Sequence, residues 1–221
     1  MAIAALLVLP GLGATSLWED EAGIAFVARN VLHTGLPMAS DGRNLVSYFA
    51  DYRDIRDGLF IWQPWLQMYL AAGSMAVFGT TAFAARLPFA LAFVALVSLS
   101  YAFFRRWSGE RQLALIASVL ILGSVPLLLH ARQARYYLLV PLFSLLVVHA
   151  YLQLLREPSG RRVPALVCWA TLLVNSFYPG AAIAALGLAV DLALRRPRAR
   201  VLGILALAGS VVALLNLPMA I

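Results

Sequence analysis

The 221-residue sequence has few charges, a single cysteine and no lysine. One cysteine, Cys168, excludes a disulfide framework within the chain and a metal site built from several cysteines. Because it lies in an apolar run, we interpret it as a small buried hydrophobic residue. Only 12% of the residues are charged and 62% are hydrophobic, and the mean hydropathy is +0.85. A soluble protein could not cover so much apolar surface, so the composition predicts a polytopic membrane protein.

All 17 basic residues are arginines, against 10 acidic residues. They lie mainly in short loops between apolar runs, a distribution that orients a membrane protein and gives no indication of nucleic-acid binding. We predict that the three arginine-rich loops, 105–111, 156–162 and 195–200, face the cytoplasm. Residues 18–85 and 130–137 then face the exterior.

The apolar runs have the length of membrane spans, since crossing the hydrocarbon core takes about 20 residues at about 1.5 Å each. We therefore predict an all-α polytopic membrane protein with about seven transmembrane helices. The predicted helices cover 1–17, 86–104, 112–129, 138–155, 163–178, 180–194 and 201–221. The first has no basic leading region and no convincing cleavage site, so we interpret it as a membrane anchor rather than a signal peptide.

Residues 18–85 form the one long segment between predicted spans. Within it, 65–78 predicts an interfacial helix on the outer leaflet, because this run is short for a span and rich in Trp and Tyr. The alternative is a true span paired with 86–104. That arrangement would move residues 19–21 to the cytoplasmic side, against the arginine distribution.

Three adjacent carboxylates, Glu19, Asp20 and Glu21, directly follow the first apolar run. Ionisable groups at a membrane edge are costly to dehydrate, so such a cluster is a candidate functional site. The alternative is that the three residues mark the solvated end of a helix. Their position alone leaves both interpretations open.

An ordered set of short motifs carries a resemblance to a known family. The motifs are Asp20-Glu21-Ala22, Ala28-Arg29, Gly35-Leu36-Pro37, Gln63-Pro64-Trp65-Leu66, Phe78-Gly79, Ala84-Ala85-Arg86-Leu87-Pro88 and Arg132-Gln133-Ala134-Arg135-Tyr136-Tyr137. In this order they resemble the amino-terminal module of GT-C membrane glycosyltransferases, in particular the family-39-like group related to protein O-mannosyltransferases and aminoarabinose transferases. The resemblance spans nearly the whole chain. Because such enzymes are usually much longer, we expect residues 1–221 to be a single GT-C module within a longer protein.

The resemblance implies an enzyme that transfers a sugar from a polyprenyl-phosphate-linked donor to an acceptor hydroxyl, with inversion, at the outer face of a membrane. The expected acceptor is a lipid, a glycan or a protein, and the expected location is the bacterial inner membrane, with the active site facing the periplasm or exterior. Asp20 matches the family's catalytic carboxylate and is the expected base. Glu21, assigned with it to the catalytic site, would orient the loop or join Asp20 in holding a divalent metal ion, the only cofactor expected.

The loop 130–137 would supply the positive charge that the departing phosphate needs. Arg132 and Arg135 are three residues apart, so on a helical continuation they would share a face and form a fork around the lipid phosphate. The alternative is that they are interfacial anchors beside an aromatic belt. The residues assigned to the donor site are Arg132, Arg135, Tyr136, Tyr137, His130 and Gln63. Two departures from the family stand out: Gln63 replaces a basic residue, and Tyr136 and Tyr137 stand where many relatives have an acidic one.

Two other function classes are compatible with a polytopic chain. A transporter should show broken helices, charges near mid-membrane or a repeat, whereas the predicted spans have almost no central charge and no evident repeat. A non-catalytic membrane scaffold fits the composition equally well, but it leaves the ordered external motifs unexplained.

Overall fold

The structure, a computed structural model, describes residues 1–195 and 197–220, and only the backbone of the last four. Arg196 in the predicted loop 195–200 and Ile221 at the end of the predicted helix 201–221 lie outside the described residues. Apart from one small hairpin, the described architecture is helical, which confirms the predicted all-α class. The chain divides into two compact units, Met1–Leu138 and Leu139–Ile221.

The first unit begins with helices α1 (Ala2–Val8) and α2 (Glu19–Thr34). The first turn of α2 contains Glu19, Asp20 and Glu21, whose negative charges complement the positive end of the helix dipole. The helix ends at Gly35, which has the left-handed conformation (φ 77°) that glycine adopts without steric cost.

A hairpin and four further helices complete this unit. The antiparallel strands β1 (Ile55–Arg56) and β2 (Leu59–Phe60) pair Ile55 with Phe60 and Arg56 with Leu59. The helices are α3 (Leu66–Phe78), α4 (Ala82–Ser108), α5 (Arg111–Leu122) and α6 (Val125–Ala131), followed by a 3₁₀ turn at Tyr136–Leu138. The small core that joins α2, the hairpin and α3 consists of Ile24, Val27, Ala39, Phe60 and Met68.

The prediction that 112–129 forms one continuous helix is wrong. The segment forms two helices, α5 and α6, which are bent by 61° at a break between them. Gly123 follows α5, and Pro126 lies in the first turn of α6. Proline has no backbone N–H to donate and is tolerated in a first turn but not in a helix interior. A new helix therefore begins here.

The second unit contains helices α7 (Leu139–Arg156), α8 (Val163–Val174), α9 (Tyr178–Arg195) and α10 (Ala199–Ala220), with a 3₁₀ turn at Gly160–Arg162. Its buried cluster comprises Val147, Ala150, Tyr151, Leu154, Leu166, Leu173 and Ala208. Cys168 is exposed on α8, so our interpretation of it as a buried residue is wrong. Large apolar residues of α9, such as Ile183 and Leu194, are also exposed, as expected of lipid-facing helices.

Four described segments are long and apolar enough to cross a membrane: Ala82–Ser108, Tyr136–Arg156, Tyr178–Arg195 and Ala199–Asn216. The bent pair α5 and α6 would make a fifth. These segments are compatible with membrane integration, but the predicted count of seven spans is not confirmed.

Two predicted spans are shorter in the structure. Helix α1 covers seven residues rather than 1–17, because Pro10 and Gly11, the latter at φ 65°, interrupt the helical backbone. Helix α8 covers 12 residues rather than 163–178. Helix α3 nearly coincides with the predicted helix 65–78, and its interfacial position stays a prediction.

Candidate functional site

The candidate site lies in the first unit, where Asp20 forms an ion pair with Arg135. Asp20 belongs to the first turn of α2, and its side chain is 30% exposed. Arg135 follows α6 and is buried, with only 5% of its surface exposed. The structure thus brings together the predicted base and one of the two predicted phosphate ligands, which come from distant parts of the sequence.

Three aromatic rings surround the guanidinium of Arg135. Its central carbon lies 5.9 Å from the ring centre of Trp18, 5.5 Å from that of Tyr136 and 5.3 Å from that of Tyr137. Such rings attract a cation through their electron-rich faces. The Nε of Arg135 is buried and has no hydrogen-bond partner among the described residues. A buried donor without a partner is costly, so this nitrogen favours an incoming anionic oxygen.

Glu21, the neighbour of Asp20, is completely buried and is paired with Arg86. Its two carboxylate oxygens accept hydrogen bonds from Arg86 Nε at 2.9 Å and from Arg86 Nη2 at 2.7 Å. This two-pronged geometry compensates both buried charges. Glu21 also accepts a hydrogen bond from the backbone N–H of Ala134 at 2.7 Å. It therefore fixes the segment that carries Arg135 against the start of α2.

Arg86 uses its remaining donors on the segment that precedes α2. Its Nη1 donates to the carbonyl oxygens of Leu12 and Thr15, and its Nη2 to that of Ser16, each at 3.0 Å. Arg86 itself is 4% exposed and lies near the start of α4. Through these bonds a single guanidinium holds the chain on both sides of Trp18 in place.

This arrangement does not fit a divalent cation shared by Asp20 and Glu21. Both oxygens of Glu21 are engaged by Arg86, one of them also by Ala134, and a cation would have to displace a buried arginine. Within the part of the chain that the structure describes, no group of three or more His, Cys, Asp or Glu side chains is placed to hold a metal. The contact of Glu21 with the backbone of Ala134 is compatible with its other predicted role, that of orienting the loop.

Arg132 does not form the predicted fork with Arg135. Helix α6 ends at Ala131, so the two arginines do not lie on a helical continuation. The Nη1 of Arg132 donates to the carbonyl oxygens of Val8 at 3.0 Å and Pro10 at 2.9 Å. Cations favour the carbonyl end of a helix, and Arg132 in this way stabilises the end of α1.

His130, Tyr136 and Tyr137 lie side by side next to Arg135. The His130 ring is 4.1 Å from the ring of Tyr137, which is 4.7 Å from that of Tyr136. His130 Nδ1 also lies 2.9 Å from Gln133 Oε1. These predicted donor-site residues therefore form one aromatic wall beside the Asp20–Arg135 pair.

Gln63 is linked to this wall through Gln67. Both glutamines are buried, and Gln67 Nε2 donates to Gln63 Oε1 at 2.7 Å. Gln67 Oε1 in turn accepts a hydrogen bond from the backbone N–H of Tyr136 at 3.1 Å. Gln63 thus supports the backbone of the site.

Sequence reasoning missed Arg86, Gln67 and Trp18. Arg86 stood inside one of the motifs that carried the resemblance, and a charge near the start of an apolar helix requires a buried partner. This need for a buried partner could have pointed to Arg86 from the sequence. Gln67 follows Gln63 by four residues, the spacing at which side chains on a helix meet.

No protein-family model, curated protein or solved structure matches the chain. A functional assignment therefore depends on the residues of this site and on their chemistry.

Proposed function

We propose that the protein is a membrane glycosyltransferase of the GT-C type, with a polyprenyl-phosphate-linked sugar as donor and a hydroxyl group as acceptor. The observation that supports this proposal is the pairing of Asp20 with the buried, aromatic-enclosed Arg135. Glycosyl transfer needs a carboxylate that can take a proton and a cation that can hold the departing phosphate. The site contains one of each, in contact.

The proposed reaction is a single displacement. The acceptor oxygen attacks the anomeric carbon of the donor sugar, and the bond from that carbon to the phosphate oxygen breaks. The polyprenyl phosphate leaves with the bonding electron pair, and Asp20 takes the hydroxyl proton. Attack opposite the leaving group inverts the anomeric configuration.

Arg135 stabilises the negative charge that develops on the departing phosphate. The partnerless Nε offers a donor for a phosphate oxygen, and binding there draws the guanidinium away from Asp20, which frees the carboxylate for the acceptor. The rings of Trp18, Tyr136 and Tyr137 exclude water from the guanidinium, which strengthens its interaction with an anion. Tyr137 and His130 form the donor side of the site.

The proposal places this site on the outer face of the membrane, because Arg86 lies near the start of α4 whereas Arg105 and Arg106 lie in its last turn, and arginines mark the cytoplasmic end of a span. Single cysteines at the exposed positions Asp51 and Glu110, in a Cys168→Ser background, test this orientation. We expect an impermeant thiol reagent to label position 51 in intact cells and position 110 only after permeabilisation. Labelling of position 110 alone in intact cells would show that the protein has the opposite orientation.

The reaction itself is tested by Asp20→Asn. The amide retains the shape of the carboxylate but cannot take a proton, so we expect transfer to fall by about 10²–10⁴-fold. The assay supplies the full chain in vesicles with an acceptor that carries a hydroxyl group, and follows transfer of sugar to it from polyprenyl-phosphate mannose or polyprenyl-phosphate aminoarabinose. Asp51→Asn, the same change at an exposed loop residue, is the matched control. Turnover of Asp20→Asn close to that of the wild type would show that the base lies elsewhere.

One observation favours a second candidate, a polytopic transporter. The 61° break between α5 and α6 is of the kind that exposes helix ends to a substrate in transporters. The sequence between Arg111 and Arg132, however, contains no charged residue. Movement of a lipid-linked or free sugar across sealed vesicles without any transfer product would favour the transporter.

A further inference from the structure

A pocket of about 360 Å³ opens beside the first two turns of α2, next to the Asp20–Arg135 pair but with other side chains as its lining. One wall is a single face of α2, because most of its lining residues follow one another at intervals of three or four residues. The other wall is an extended segment of the loop that precedes the hairpin. The lining residues are Glu19, Ala22, Gly23 and Phe26 from the helix and Leu45, Val46, Ser47 and Tyr48 from the loop.

Tyr48 lines this pocket, and its hydroxyl is an unsatisfied group. It is buried and has no hydrogen-bond partner among the described residues. It also lies against Gly23, because a methyl group at that position would come within 2.9 Å of the hydroxyl oxygen. A buried hydroxyl without a partner is costly, so a ligand that supplies one is favoured here.

The segment that carries Tyr48 is held in place by Asp54. This carboxylate is 1% exposed, and it accepts hydrogen bonds from Ser47 Oγ and from the backbone N–H of Tyr48, both at 2.6 Å. The hydroxyl of Ser47 is thereby engaged, whereas that of Tyr48 is left for a ligand. A fixed backbone with one free polar group is typical of a preformed binding site.

Tyr48 lies close enough to the Asp20–Arg135 pair to respond to both charges. Burial raises the pKa of Tyr48, the negative charge of Asp20 raises it further, and the positive charge of Arg135 lowers it. The phenol therefore stays neutral and can both donate and accept a hydrogen bond. Glu19 lines the pocket and adjoins Asp20 in the first turn of α2, so a molecule bound in the pocket lies near the proposed base.

We infer that this pocket is the acceptor subsite, and that it takes an uncharged sugar ring of a glycan. The inference rests on the proposed function. The carboxylates of Glu19 and Asp20 disfavour an anionic acceptor. Phe26 and Tyr48 offer ring surfaces, while Glu19 and the Tyr48 hydroxyl offer hydrogen bonds to sugar hydroxyls.

Tyr48→Phe tests the subsite with the smallest possible change. It removes one hydrogen bond to the acceptor, so we expect the KM for the acceptor to rise about 3–10-fold. The KM for the donor and kcat should stay unchanged, because the hydroxyl touches neither the phosphate nor the reacting carbon. Tyr52→Phe, the same change at an exposed tyrosine of the same loop, is the matched control. An unchanged acceptor KM in Tyr48→Phe would overturn the inference.

Gly23→Ala tests the same contact by steric means. The added methyl group would press on the Tyr48 hydroxyl at 2.9 Å, whereas its next nearest neighbours, Val46 Cγ1 at 3.5 Å and Tyr48 Cζ at 3.8 Å, are at ordinary contact distances. We expect weaker acceptor binding in Gly23→Ala and little additional effect when Gly23→Ala is added to Tyr48→Phe. Alanine favours a helix over glycine, so loss of helix stability would not explain the weaker binding.

A binding experiment without donor separates this inference from the proposed reaction. Purified full chain is applied to an array of neutral glycans, carboxylate-bearing glycans and threonine-containing peptides. We expect neutral glycans to bind the wild type and the Tyr52→Phe variant, and to bind the Tyr48→Phe and Gly23→Ala variants less tightly. Preferential binding of peptides or anionic glycans, or no glycan binding at all, would overturn the subsite. If neutral glycans bind as expected while Asp20→Asn retains transfer, the proposed base fails and the subsite stands.

Discussion

The two units of the chain differ in what they bury. Of the described residues of 1–138, eight buried ones are polar or charged, against one in 139–221. In the first unit these residues are Glu21, Asn30, Asp54, Gln63, Gln67, Arg86, Ser100 and Arg135, and in the second the residue is Ser176. Buried charges add little net stability but demand a specific partner. The first unit is therefore constrained in geometry at the proposed site, while the second is held by apolar packing.

One side-chain contact of the second unit that involves a charge shows the contrast. The hydroxyl of Tyr151 donates to Asp191 at 2.7 Å, and Asp191 pairs with Arg195 one helical turn along α9 at 2.7 Å. Arg195 is exposed, so this chain of contacts ends at the surface. The pair of Glu21 and Arg86 is buried on both sides, and the loss of either partner leaves a charge with no compensation.

The largest effect that the comparison predicts is that of Glu21→Gln or Arg86→Gln. Each leaves a buried charge unpaired, which costs about 3–5 kcal/mol. We expect a large drop in the thermal unfolding temperature of the purified chain and faster proteolysis within 132–135, because the bond from Ala134 to Glu21 weakens. The double variant should recover part of the stability. Asp191→Asn in the second unit is the control, and a loss there as large as for Glu21→Gln would remove the contrast between the units.

A smaller effect is expected for Tyr151→Phe in the second unit. The ring stays packed in the apolar cluster, and only the hydrogen bond to Asp191 is lost, a change of about 0.5–1.5 kcal/mol. Unfolding of the chain in urea measures the difference. Sugar transfer should be unaffected; a strong loss of transfer would show that the second unit takes part in the site.

The smallest effect is a pH dependence at Asp41, an exposed residue of the first unit. The backbone N–H groups of Asn44 and Arg43 donate to this carboxylate and lower its pKa from 3.8 to about 2, with a smaller contribution from the charge of Arg29. Because the folded pKa is the lower one, the stabilisation is present above about pH 3.8 and is lost as the pH falls towards 2.

The stability of the wild type and of Asp41→Asn against unfolding, followed by helical circular dichroism between pH 5 and pH 2, measures this contribution. We expect the variant to be less stable than the wild type at pH 5 and the difference to be largely lost near pH 2, where the carboxyl group of the folded protein is half protonated. A difference that is constant over this range would mean that ionisation of Asp41 plays no part.

Some features of the fold could be predicted because they depend on local sequence. Helix α3 ends at Gly79, a signal that the sequence shows directly. The break in 112–129 was harder to predict, since the run is apolar throughout and a proline is compatible with either a helix end or a new helix start. Helix α1 shows the same difficulty, because an apolar composition predicted a span where Pro10 and Gly11 end the helix.

The sequence pointed to the charged residues of the proposed site but not to how they pair. Asp20 and Arg135 were both expected to take part, from the acidic cluster and from the arginine-containing external loop. Glu21 was predicted either to orient the loop or to help hold a metal ion, and its pairing with the buried Arg86 was not foreseen. Which distant residue compensates a charge depends on the tertiary fold, which local patterns do not contain.

The bonds of Glu21 set an order of assembly during synthesis of the chain. Glu21 precedes its partner Arg86 by 65 residues and Ala134 by 113 residues. A nascent chain that has emerged only as far as α3 therefore carries a carboxylate whose compensating charge has not yet been made. The Glu21–Arg86 pair at the start of α2 can form only after the first turns of α4 have been made, and Asp20 meets Arg135 only once α6 is complete. The proposed catalytic pair is thus absent from every incomplete product of translation that stops before residue 135.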